Sequence, residues 1–351
     1  MNKARLLWKF RFFYNVVRIK KDGEAMKAVV VAGALLTSVL MFAGCGFGST
    51  DKAEKEKEEM QTEFFTKDTK IETVANDPVF ENYGRLIFPV EKYYYSGDTL
   101  GNLNLVWYNN IDPDETAEIV NYLKQHVLDG ETVFYDIYTD EEKKEDSEKA
   151  DTGLFFFRGN KGEKFALCNA GGAFAYVGAM QDSFPHALEL SKLGYNAFAL
   201  IYRPDAQKAC EDLARAISFI FENANELGID TNDYSIWGGS AGGRMAAWVA
   251  SYGTKAFGGD DLPRPAAVIM QYTGHNEYSI FDPPTFACVG ESDGIASWKV
   301  MKRRLELLSS MGIDTEFHSY PGLRHGFGIG KGTVAEGWLN KAVAFWEKHM
   351  N

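Results

Sequence analysis

The stretch Trp237–Gly243, WGGSAGG, places Ser240 inside the pattern Gly238-x-Ser240-x-Gly242. A serine becomes a nucleophile when a neighbouring base removes its proton, and a sharp strand-to-helix turn presents its hydroxyl to a substrate. Glycine is 34 of 351 residues, so this pattern arises by chance in about one such chain in six or seven. Its meaning depends on partners elsewhere.

Six histidines are available as the base. His325 lies in YPGLRHGFG, a glycine-flanked loop directly after a strand-like segment, where an imidazole can reach across a sheet. His275, after AAVIMQYT, is the competitor and reads as pocket lining or a loop histidine. A carboxylate must fix the tautomer of that base. Asp293 in VGESDG stands where this group is expected, with Glu291 and Asp282 as the other candidates. The developing oxyanion needs backbone N–H donors. AGGAF follows the strand-like KFAL, and Gly172 and Ala173 are the expected donors together with Ala241, the residue after the serine. Phe174, Tyr176 and His275, with Tyr278 and Trp298, are candidates for the substrate-binding wall.

These residues need a scaffold that brings them together. From residue 131 short apolar runs alternate with segments of helical period. TVFYDIY reads as a strand, and GLFFFRG with KFALC as a hairpin leading into a sheet. Then follow helix SFPHALELSKLG, strand YNAFALIY, helix AQKACEDLARAISFIFENANELG, strand YSIW and helix AGGRMAAWVASYG. The chain closes with strands AAVIMQYT and PTFACVG, helix SWKVMKRRLELLSSMG, strand TEFHSY and helix AEGWLNKAVAFWEKH. This is an α/β pattern, a mostly parallel central sheet with helices on both faces. Sites in such sheets form at the carboxyl ends of strands, and every candidate above follows a strand.

The chain resembles serine esterases of the α/β-hydrolase superfamily, in the branch of acetyl-esterase, feruloyl-esterase and hormone-sensitive-lipase-like enzymes. The residues that carry the likeness are AGGAF, GYNAFALIYRP, CEDLARAISFI, IWGGSAGG, VGESDG and HGF. It covers about 130 to 351. The order Ser240, Asp293, His325 is the α/β-hydrolase order. The resemblance implies hydrolysis of carboxylic esters through an acyl-enzyme, with no cofactor and no metal. One departure stands out: Ala170 occupies the place where the family usually carries His or Pro before its glycine loop. Only about a dozen residues separate AAVIMQYT from PTFACVG, where many lipases insert a lid. That predicts an open site for short acyl groups, with acetylated carbohydrate as an expected partner. The alternatives are a non-catalytic binding protein on the same fold and a peptidase of related fold.

Charge and the N-terminus bound the setting. The net charge is −12, but residues 1–44 carry eight Lys/Arg against two Asp/Glu, which leaves about −18 on the rest. An acidic body disfavours nucleic acid as a partner. Residues 1–44 read as an export signal, already complete from Met26, which is a candidate native start. FAGC resembles a lipobox, with Cys45 as the lipidated residue; an uncleaved membrane anchor is the alternative. Residues 45–67 then form a charged spacer, 68–130 an aromatic-rich flank without an assigned role, and 131–351 the catalytic domain. The expected location is extracytoplasmic, anchored to the cell membrane. Cys168, Cys210 and Cys288 have no metal-ligand spacing and read as small buried residues.

Overall fold

The computed structural model describes residues 63–108 and 111–351. The signal segment, Cys45 and most of the charged spacer lie outside them. Among the described residues ten strands run β1 (Tyr95–Ser96), β2 (Asn104–Leu105), β3 (Phe134–Tyr135), β4 (Gly153–Phe157), β5 (Lys164–Asn169), β6 (Asn196–Ile201), β7 (Asp230–Gly239), β8 (Ala267–Gln271), β9 (Thr285–Gly290) and β10 (Thr315–Tyr320). Six described helices have nine or more residues: α1 (Pro113–Leu128), α2 (Phe184–Lys192), α3 (Ala206–Glu222), α4 (Ala241–Tyr252), α5 (Trp298–Ser310) and α6 (Trp338–Glu347).

β1 and β2 form a small antiparallel pair, and the other eight strands form one sheet in the order β10-β9-β8-β7-β5-β6-β4-β3. The six strands from β10 to β6 are parallel, while β4 runs antiparallel to β6 and β3 antiparallel to β4. Every residue of β4, β6, β8 and β9 is buried. Strands covered on both faces must be apolar along their whole length, which explains runs such as FFF and AVIM. His186 of α2 meets Trp338 of α6 edge-on, with ring centroids 5.4 Å apart, and Trp237 of β7 lies 6.2 Å from Trp338. β10 is only half-buried and carries Glu316 and His318, polar side chains that suit an edge strand.

Helix starts follow capping chemistry. Asp112 accepts from the N–H groups of Asp114 (2.9 Å) and Glu115 (3.4 Å) ahead of α1, with Pro113 at the first helical position. Asp205 does the same for α3. The segment read as one helix from 206 to 228 instead breaks at Asn223, whose side chain folds back on the Phe219 carbonyl at 2.8 Å. α6 begins at Trp338, because Gly337 before it sits at φ 81.

The expected hairpin of GLFFFRG and KFALC does not form. β6 lies between β4 and β5 and pairs with both. The connection is held by a side chain distant in sequence: Asn196, at the start of β6, binds the Gly159 N–H (3.1 Å) and the carbonyls of Asn160 (3.0 Å) and Glu163 (2.9 Å). The connection therefore wraps over the end of β6 instead of folding β5 onto β4. TVFYDIY contributes only the two residues of β3. Beyond Tyr135 the chain leaves the sheet edge, and the Ile137 carbonyl takes the Arg215 Nε (2.8 Å).

The flank packs on the sheet domain through specific contacts. Tyr83 stacks on Phe134 at 4.9 Å and meets Phe155 edge-on at 5.9 Å, while within the flank buried Lys124 of α1 pairs with Asp77 at 3.1 Å. No helix among the described residues is long and apolar enough to cross a membrane.

Candidate active site

Ser240 stands between β7 and α4 with φ 51 and ψ −114, backbone angles that a residue with a side chain adopts only under strain. The flanking glycines permit this turn by closeness. A Cβ on Gly238 would lie 2.3 Å from the Gly242 carbonyl carbon, and one on Gly242 would lie 2.0 Å from the Asn169 oxygen at the end of β5. The Ser240 N–H donates to the Gln271 carbonyl at the end of β8 (2.9 Å), which ties the elbow to the neighbouring strand.

His325, on the loop after β10, approaches with Nε2 3.1 Å from the Ser240 Oγ. Its Nδ1 lies 2.7 Å from the Asp293 Oδ2. The other oxygen, Oδ1, accepts from the N–H groups of Ile295 and Ala296, both at 2.7 Å. An ionised carboxylate only accepts, so Nδ1 carries the proton and Nε2 is left to accept from the serine hydroxyl. The Asp293 side chain is fully buried and that of His325 is 5% exposed, so the pair is shielded from water.

The loop after β5 runs along the serine. A Cβ on Gly171 would sit 2.8 Å from the Ser240 Cβ. Gly172 (φ 127), Ala173 (φ 56) and Phe174 (φ 57) are consecutive left-handed residues, which turn the chain sharply. The Gly171 N–H is occupied, donating to Asp182 Oδ2 at 2.8 Å. The N–H groups of Gly172, Ala173 and Ala241 have no acceptor among the described residues. The structure thus brings Ser240, Asp293 and His325 together, with Ala241 next to the serine and Gly172 and Ala173 on the loop that touches it at Gly171. The Ala170 carbonyl accepts from the Tyr202 hydroxyl at 2.7 Å, so the loop entry is anchored from the residue that follows β6.

The other candidates fall elsewhere. Glu291 accepts from the Ser319 hydroxyl (2.7 Å), and Asp282 pairs with Arg304; neither meets His325. His275 is buried, edge-on to Trp248 at 5.8 Å, while Phe174 stacks with Trp248 at 6.2 Å. Burial, with Arg304 and Arg244 nearby, holds the His275 imidazole well below its ordinary range, so it is neutral. Tyr176 is buried beneath Tyr94 (4.6 Å) and Trp107 (6.0 Å), and its hydroxyl donates to the Val106 carbonyl. It therefore joins the flank to the loop. Tyr278 is exposed, and Trp298 opens α5. Cys168, Cys210 and Cys288 are buried free thiols, each pushed up by burial. No group of three or more His, Cys, Asp or Glu among the described residues is placed to hold a metal.

Three residues at the site were not singled out from the sequence: Asp182, Tyr108 and Tyr272. Asp182 is fully buried and accepts from both tyrosine hydroxyls, that of Tyr108 at 2.6 Å. Burial and the Asp182 charge push both phenols well above their ordinary range. Tyr272 followed the strand-end rule and could have been found that way; its ring centroid is 4.9 Å from that of His325. Tyr108 lies in the flank, where no motif marks it.

Among solved structures, an acetyl ester-xyloside bifunctional hydrolase from Caldicellulosiruptor lactoaceticus aligns with a TM-score of 0.50 and 23% identity. The alignment covers 56% of this chain and 88% of that one. The chain has the α/β-hydrolase fold. Two further neighbours are MGS-M1, an α/β-hydrolase enzyme from a Medee basin deep-sea metagenome library, and Thermogutta terrifontis esterase 2. The first has 22% identity, a TM-score of 0.49, and coverage of 56% of this chain and 92% of that one. The second has 19% identity, a TM-score of 0.49, and coverage of 56% and 89%. Within this hydrolase fold, residues 161–266 match the BD-FAE family model, a span that runs from β5 past the elbow to the start of β8. No curated protein matches the chain.

Proposed function

We propose that this protein is a serine hydrolase of carboxylic esters that works through an acyl-enzyme. The observation that carries the reading is the unbroken relay from Asp293 through His325 to the Ser240 Oγ, at 2.7 and 3.1 Å. The Ser240 Oγ attacks the ester carbonyl while His325 Nε2 takes its proton. The same nitrogen then returns that proton to the departing alkoxide, which leaves as the alcohol. Asp293 holds the tautomer and stabilises the imidazolium. The oxyanion faces the N–H groups of Gly172, Ala173 and Ala241, and one such donor is typically worth ~3–4 kcal/mol of barrier. Water then attacks the acyl carbonyl as His325 takes its proton; the bond to the Ser240 Oγ breaks, His325 returns that proton to the Oγ, and the carboxylic acid leaves.

Short acyl groups are the substrates we favour, acetylated carbohydrate among them. The link from β8 to β9, residues 272–284, is too short to form a domain-sized lid. The neighbour that hydrolyses acetyl esters and xylosides points in the same direction. We propose a membrane-anchored, extracytoplasmic setting from the lipobox-like FAGC and Cys45. Incorporation of labelled palmitate that Cys45→Ala abolishes would support it, and incorporation that persists would refute it.

The decisive experiment combines a fluorophosphonate probe with 4-nitrophenyl esters of rising chain length and acetylated xylan. The expected result is probe labelling and acetate release, both lost in Ser240→Ala. Absence of Ser240-dependent labelling in folded protein overturns the hydrolase reading. Preference for acyl chains of eight or more carbons overturns the short-acyl specificity.

A further inference from the structure

Asp182 is a carboxylate with no solvent exposure and no cation paired to it among the described residues. Burying such a charge costs several kcal/mol unless its oxygens are fully hydrogen-bonded. Here they are. Oδ2 takes the Tyr108 hydroxyl (2.6 Å) and the Gly171 N–H (2.8 Å), and Oδ1 takes the Tyr272 hydroxyl. These donors come from three separate places: the N-terminal flank, the loop after β5 and the exit of β8.

The cluster lies against the elbow, the histidine loop and the loop after β5. A Cβ on Gly239, next to the nucleophile, would lie 2.5 Å from Asp182 Oδ2. The Tyr108 ring blocks the same space at Gly326, beside His325, where a Cβ would meet its Cδ1 at 2.6 Å. A Cβ on Gly171 would meet its hydroxyl at 2.3 Å. Gln181, adjacent to Asp182, donates through Nε2 to the Gly326 carbonyl at 3.1 Å. The pair Gln181–Asp182 thus holds the histidine loop with one side chain and the oxyanion loop with the other.

The loop it holds needs an external clamp. Gly172, Ala173 and Phe174 are all left-handed, and two of these three carry side chains that disfavour that backbone region. Such a conformation persists only when its surroundings over-determine it. The Gly171 N–H, fixed on Asp182, is the last anchored donor before the free ones of Gly172 and Ala173.

We propose that Asp182 is the positioning residue of the oxyanion loop, and that Tyr108 makes the N-terminal flank a working part of the active site. The proposal rests on the ester-hydrolase reading for its kinetic consequence alone. The Tyr108–Asp182 clamp also supplies a support for the loop that is independent of the residue before the glycines, where Ala170 offers only its carbonyl to Tyr202.

The test uses Tyr108→Phe, which removes one hydroxyl, and Asp182→Asn, which removes the charge, in the full chain. Two readouts are needed: kcat and KM on 4-nitrophenyl acetate, and hydrogen exchange of the peptide spanning residues 169–178. Tyr108→Phe is expected to lower kcat about tenfold and Asp182→Asn about a hundredfold, with KM within threefold of wild type. In both, exchange across 169–178 should quicken at least tenfold while α3 and α6 keep wild-type protection. Unchanged exchange in folded Tyr108→Phe overturns the clamp, whatever happens to kcat. Faster exchange with kcat unchanged overturns its role in catalysis. A wild-type protein that neither hydrolyses esters nor labels at Ser240 refutes the function, and the exchange arm still decides the clamp.

Discussion

Gly242→Ala is the sharpest probe of how the elbow is built. The added methyl would sit 2.0 Å from the Asn169 oxygen, 2.6 Å from its carbon and 2.6 Å from the Ala170 oxygen. All three are backbone atoms at the end of β5, so no side chain can rotate away. A methyl group and a carbonyl oxygen tolerate roughly 3 Å, so helix α4 and the loop after β5 must part by about 1 Å. That displacement falls between the Ala241 N–H and the Gly172–Ala173 donors, the groups proposed to share one oxyanion. A shift of this size typically costs about a hundredfold in rate, or ~2.7 kcal/mol of barrier. Overpacking adds about 1–3 kcal/mol of instability, which lowers Tm by roughly 2–10 °C in a body of this size. The assay is kcat/KM on 4-nitrophenyl acetate with a thermal melt on the same preparation. Gly294→Ala is the control, because a Cβ there meets nothing within 4 Å and its φ is not left-handed. If Gly242→Ala keeps kcat/KM within threefold of wild type and melts within 1 °C of it, the clearance argument is wrong.

Ser240→Gly should abolish turnover yet melt higher than Ser240→Ala, by an increment of about 1 kcal/mol. Glycine relieves the strain at φ 51 and ψ −114, while alanine keeps it; equal melting temperatures would refute this. Asp212→Ala should cost about 3–5 kcal/mol in a denaturant titration. It strips Arg203, 5% exposed, of a partner that its Nη2 and Nε reach at 2.7 and 3.0 Å. Glu115 gives a pH signature, since burial, with Asp112 and Glu189 near, pushes its carboxyl up to about 7. Its folded pKa lies above the unfolded value, so the native state binds the extra proton and stability falls as pH rises from about 4.5 to 7. The full shift corresponds to about 3 kcal/mol, which partial exposure reduces to ~1 kcal/mol. Glu115→Gln should flatten that slope and raise Tm at pH 8, measured by melts between pH 5 and 8.

The residues legible in the sequence are those whose chemistry forces a local pattern. Gly238 and Gly242 are glycines because backbone lies 2.0–2.3 Å from where their side chains would begin, and that constraint is written within five residues of Ser240. Asp293 and His325 could be placed because a parallel sheet puts the loops after β7, β9 and β10 along the same edge. The β4–β5 connection misled because adjacency in sequence usually means adjacency in a sheet. The side chain that diverts it, Asn196, lies more than thirty residues downstream. Asp182 and Tyr108 fail in the same way, for their bond spans 74 positions and neither belongs to a periodic segment or a spaced motif. A nucleophile and its base leave a signature, since each needs a particular turn; the carboxylate that holds the loop beside them needs only to be buried and reached by three donors. That asymmetry is why the flank, silent in the sequence, turns out to touch Gly171 and Gly326 on either side of Ser240.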